Sequence, residues 1–136
     1  MKTKLIIALF VFGTLSSLAM AAKLPALDIT KINKLACHTD YFSKGDFIIE
    51  NLQTPEKAFI KFEGNMSQQL YDVKIIDKKQ INFSYETTRF VLDFLSTSWE
   101  DDTNYKAYAV YHGILYNVIQ AYDEYSVSTV ECSSID

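Results

Sequence analysis

Glycine is scarce in this chain, with four residues among 136, and proline scarcer still, with two. A loop that cradles phosphate needs clustered glycines, whereas Gly45, Gly64 and Gly113 stand far apart. The same scarcity leaves no stretch that reads as a linker or low-complexity tract. Histidine occurs twice, as His38 and His112, with no H-x-H or H-x-x-x-H spacing, so no metal is expected. No G-x-S-x-G elbow presents a serine nucleophile. No C-x-x-C offers a redox pair. Asp101-Asp102-Thr103-Asn104 has oxygen donors but lacks the glycine and distal glutamate of a calcium loop. These absences lead to the expectation that the protein is not an enzyme and holds no cofactor.

The N-terminus has a basic start, a short apolar run from Leu5 to Leu15, and small residues at Ala19 and Ala21. That is the pattern of a secretory signal peptide. Residues 1–21 are expected to be removed, leaving 22–136 as a single β domain. The apolar run is too short to span a bilayer, so no membrane insertion is expected after its removal. Two cysteines remain, Cys37 and Cys132, in a chain bound for an oxidising compartment, the periplasm or the exterior. One intramolecular disulfide follows. The domain keeps all 17 acids but loses two of the 13 basic residues, giving a net charge near −6. Nucleic acid and anionic membranes would repel it, and a basic macromolecular partner is favoured.

Aromatic residues are abundant, with nine tyrosines, nine phenylalanines and one tryptophan. The densest stretch runs from Tyr105 to Cys132. Read as a helix it would be apolar all round, which suits a large core that a chain of this length cannot build. Read as strands it alternates: Tyr105, Ala107, Ala109 and Tyr111 on one side, then Ile114, Tyr116 and Val118. Three strands are expected here, broken at His112-Gly113 and at Asp123-Glu124. Tyr108 and His112 share a face with Lys106 and are expected outside.

Upstream, Asp46–Leu52, Lys57–Glu63, Leu70–Ile76, Ile81–Thr87 and Arg89–Thr97 also alternate. In the last of these, Phe90/Phe94 and Val91/Leu95 also fit a helical spacing. Asp28 is placed to cap a short helix with Ile29, Ile32, Leu35 and Ala36 inward. The resulting fold class is all-β: a small antiparallel barrel of about eight strands, with a short N-terminal helix. The alternative is an α+β curved sheet packed on a helix.

In size, leader, strand count and a disulfide joining start to end, the chain resembles periplasmic lysozyme-inhibitor barrels. The Ser/Gly-rich loop motif of those proteins has no counterpart here, so no site residue is carried over. The function expected is binding without catalysis by a monomer, most plainly of a protein in an inhibitor-like role. The alternative is carriage of a small apolar ligand inside the barrel. The candidate surface for a protein partner is the acidic loop holding Trp99, Glu100, Asp101, Asp102 and Tyr105. Aromatic anchors there bracket the densest charge in the chain.

Overall fold

The computed structural model describes residues 23–42, 45–64, 66–119 and 124–135. The expected signal peptide, 1–21, lies outside them, as does Asp123 of the expected break at Asp123-Glu124. The strands are β1 (Leu35–Thr39), β2 (Asp46–Glu50), β3 (Phe59–Phe62), β4 (Gln68–Gln69), β5 (Tyr71–Ile76), β6 (Gln80–Tyr85), β7 (Thr88–Asp101), β8 (Ala107–Ile119) and β9 (Glu124–Ser134). A 3-10 turn at Pro55–Lys57 leads into β3.

The sheet order is β4-β3-β2-β1-β9-β8-β7-β6-β5, and every pair is antiparallel. The two edge strands, β4 and β5, are consecutive in the chain with only Leu70 between them. They therefore form one bent run that pairs with β3 at its start and β6 at its end, so the sheet nearly closes on itself. Counted this way there are eight runs. The even number is what allows the last run to meet the first in antiparallel fashion. The Leu70 N–H donates to the Ala58 carbonyl at 3.0 Å, and the Gln69 amide donates to the Glu56 and Ala58 carbonyls, stitching the β3 side of the gap.

Strand alternation fills the interior. Leu35 and Cys37 of β1, Phe47 and Ile49 of β2, Ile60 and Phe62 of β3, and Ile81 and Phe83 of β6 are buried. So are Phe90, Leu92 and Phe94 of β7, Tyr111 and Leu115 of β8, and Val130 and Cys132 of β9. Rings of Tyr41, Phe42, Phe47, Phe62, Phe83, Tyr85 and Phe90 meet at centroid separations of 4.8 to 6.4 Å. Such spacing is ordinary contact between packed aromatics. Among the polar groups inside, Asn117 donates to the Tyr41 hydroxyl at 3.2 Å and accepts from Ser126.

Two expectations are corrected. His112-Gly113 is not a turn, for β8 runs straight through it, and two long strands replace the expected three. Gly113 pairs with Phe94 just before a bulge in β7. A β-carbon on it would stand 2.3 Å from the Asp93 carbonyl oxygen and 2.8 Å from the Phe94 Cα. This glycine serves a close backbone approach, the other role it plays inside strands.

The N-terminal helix is also absent, since no α-helix occurs among the described residues. Residues 23–34 instead cross one end of the barrel as irregular chain, and Leu35 already belongs to β1. Ile29 and Ile32 are buried as expected. Their backbone, however, is held by the barrel: Ile29 N–H donates to Lys78 O at 2.8 Å, and the Gln53 amide donates to Thr30 O and Ile32 O. Asp28 accepts from the N–H and the hydroxyl of Thr30, a local turn in place of a helix cap. The tertiary partners thus outweigh a marginal helical propensity.

Cys37 and Cys132 are disulfide-bonded and lie directly opposite one another where β1 meets β9. The bond spans a sequence separation of 95 residues. Replacing both cysteines by alanine should lower unfolding free energy by about 2–5 kcal/mol, from the restored freedom of the open chain. A urea titration of the double variant, with an unchanged far-UV circular dichroism spectrum in water, is the check. Gly113→Ala should destabilise by about 1–3 kcal/mol through overpacking against β7, measured in the same way. No effect of that substitution would show that the bulge yields freely.

Candidate functional site

Outside the barrel, the register brings one line of mostly short side chains across six strands. Lys61, Ile48, Ala36, Ser133, Val110 and Ser98 are successive partners from β3 to β7. The neighbouring line carries longer groups: Asp46, His38, Glu131 and His112 are likewise successive partners. On the other side stand Tyr108 and Glu100, paired across β8 and β7. Low residues between two taller rows make a groove of about 460 Å³. Ala36, Ile48 and Val110 form its floor. Val110 faces outward yet is only 5% exposed, so the flanking side chains shelter it from water.

The groove is acidic. Asp46, Glu63, Glu100 and Glu131 line it against the single lysine Lys61. Among the described residues, ion pairs occur at Lys34–Glu50, His38–Asp40, His38–Asp46 and Lys79–Asp93. Glu63, Glu100, Glu131 and Lys61 enter none of these. Among the described residues no basic group stands within ion-pair distance of these three carboxylates, although His38, the strand partner of Glu131, feels its charge at longer range. The Tyr108 hydroxyl donates to Glu100 Oε1 over a long 3.4 Å. Burial, then the adjacent Glu100, pushes the Tyr108 phenol above its ordinary value.

His38 Nδ1 stands 2.7 Å from Asp46 Oδ1. The hydrogen bond to Asp46 raises the imidazole above its usual range, against a smaller opposing effect of burial. His112 is held differently: its Nε2 lies 2.7 Å from Ser98 Oγ. Serine beside histidine is the start of a nucleophile arrangement, but His112 takes part in none of the ion pairs among the described residues. Among the described residues no carboxylate, its strand partner Glu131 included, stands within ion-pair distance of the ring, the place the third group of an acyl-transfer triad takes. No group of three or more His, Cys, Asp or Glu side chains among the described residues is disposed to hold a metal ion.

The residues of the expected acidic loop are distributed rather than gathered. Ser98 to Asp101 belong to β7, and the turn proper is confined to residues 102–106. Consecutive strand residues face opposite ways, which separates Trp99 from Glu100. Glu100 lines the groove. Trp99, half exposed, donates its indole N–H to the Lys23 carbonyl at 2.9 Å, and Thr97 Oγ1 donates to the Pro25 carbonyl at 2.6 Å. These bonds make Trp99 part of the clasp on the N-terminal segment. Asp102 Oδ1 accepts the N–H groups of Asn104 and Lys106, which ties the turn together. Asp101 and Tyr105 remain at the hairpin tip, Tyr105 with φ of 60° and 87% exposed.

Ala36, Ile48, Asp46, Val110 and Glu131 were missed as site residues because only strand register puts them side by side. The outward placing of Tyr108 was the signal in the sequence that pointed to this face. His38 offers a test of the site's electrostatics. Its folded value is raised, so the stability from the His38–Asp46 pair is present below the unfolded histidine value. It is lost as pH rises through the folded one. An NMR titration should find the His38 midpoint above 6.5, the unperturbed value, and Asp46→Asn should bring it back down. A midpoint unmoved by that substitution would reject the pairing.

No protein-family model, no curated protein and no solved structure matches this chain, so the function must be argued from the fold and the groove themselves.

Proposed function

We propose that this protein is an exported, non-catalytic binding domain that holds a basic protein against its outer face, in the manner of an inhibitor or sequestering factor. The observation that carries the reading is the acidic groove around Glu100, Tyr108 and Glu131, with its sheltered apolar floor. An interface core of that kind combines apolar area with carboxylates that steer an oppositely charged partner. Export is supported by the leader pattern of residues 1–21 and by the disulfide, which belongs to an oxidising compartment. The carrier reading draws less support, because Phe47, Phe83, Phe90 and Phe94 fill the interior where a small apolar ligand would lie.

The test is affinity retention of the host's exported proteins on immobilised residues 22–136, at low and at high ionic strength. The wild type should retain one or more basic proteins at low salt and release them at high salt. Glu100→Lys combined with Glu131→Lys should weaken retention by at least about tenfold, equivalent to about 1.4 kcal/mol. Asp101→Lys, at the hairpin tip beyond the groove, should change it much less. Retention indifferent to the double reversal, or a turnover activity that survives purification, would overturn the proposal.

A further inference from the structure

We infer that the groove is shaped to take one arginine side chain of that basic partner, an assignment that rests on the protein-binding reading above. The outward rows supply each part an arginine needs. Its aliphatic stem requires an apolar bed, and Ala36, Ile48 and Val110 provide one. Its planar guanidinium carries five donors in a fork, which suits carboxylates approaching from more than one side. Glu131 stands in one flanking row and Glu100 in the other, so the groove offers acceptors on both walls.

Tyr108 supplies the remaining element. The residue is 37% exposed and lines the groove, and its hydroxyl donates to Glu100 over 3.4 Å. An aromatic face beside paired acids favours a flat, weakly hydrated cation that stacks, and arginine stacks better than lysine. Of the protein's own basic groups along the groove, His38 is paired with Asp46, and Lys61 joins no ion pair among the described residues, so neither is bonded to Glu100 or Glu131. A volume of about 460 Å³ accommodates one long side chain and the backbone that delivers it. It falls at the small end of the usual range for ligand sites.

The probes are three capped pentapeptides, Gly-Ala-Xaa-Ala-Gly, with arginine, citrulline or lysine at the centre. Each is titrated into residues 22–136 at low ionic strength, with amide NMR shifts as the readout. The arginine peptide should move the signals of Ala36, Tyr108 and Val110. Citrulline keeps the shape but loses the charge, and should bind at least about tenfold more weakly. Lysine keeps the charge but loses the fork, and should bind roughly threefold or more below arginine. Glu100→Gln with Glu131→Gln should abolish the preference for arginine over citrulline while leaving the thermal unfolding midpoint close to wild type. Tyr108→Leu keeps an apolar wall and should erase the preference for arginine over lysine.

Equal binding of arginine and citrulline, shifts confined to another surface, or arginine binding undiminished in the double glutamine variant would each overturn the assignment. Basic proteins retained by the wild type and lost on charge reversal, with no response to the arginine peptide, would remove arginine and leave protein binding standing. Loss of both responses would remove both.

Discussion

The structure depends on the pairing of β1 with β9. Every other pair joins runs that are neighbours in the chain, so each forms across a short turn with little loop entropy to overcome. The β1–β9 ladder alone requires the two ends of the domain to meet. Such a pairing is slow to find and entropically expensive, and the Cys37–Cys132 bond sits directly on it. Once formed, the bond keeps the ends together in the unfolded chain as well, which is where a disulfide exerts most of its effect.

The candidate site straddles that closure. Ile48 and Ala36 come from β2 and β1, and Ser133 and Val110 come from β9 and β8. The floor of the groove therefore exists only when the barrel is shut, and both cysteines lie among its lining residues. Glu131 on one wall reaches the groove from β9, and Asp46 and His38 beside it come from β2 and β1. Closure, disulfide and site are thus one construction. The interior is occupied by phenylalanine rings, and the N-terminal segment covers one end, held by Thr97, Trp99 and Gln53. The proposed recognition therefore falls to the outer face, where charge is cheap to maintain in water.

Particular residues show where sequence reading succeeds and where it stops. The alternation of Ile81, Phe83 and Tyr85, or of Phe90, Leu92 and Phe94, reports a strand directly, because a half-buried strand repeats every two residues. With only two cysteines, the pairing of Cys37 and Cys132 had no competitor. Gly113 is different. Glycine serves a tight turn and a close backbone approach equally well, and nothing local separates the two; only the bulge in β7 opposite decides. Ile29, Ile32 and Leu35 have helical spacing, yet Leu35 enters a strand because β9 and β2 offer it backbone partners on both sides.

Trp99 and the acids beside it mark the same boundary. Composition makes Ser98 to Tyr105 look like one polar loop, whereas the strand pairing divides it between a clasp, a groove wall and a turn. By itself the sequence determined the all-β class, the antiparallel barrel, the disulfide and the acidic balance. All of these follow from local periodicity or from counting. The tertiary structure alone decided which outward side chains stand together. That placement depends on the register between strands far apart in the chain, as Ala36 and Ser133 are at 97 positions, and register is a property of the closed sheet.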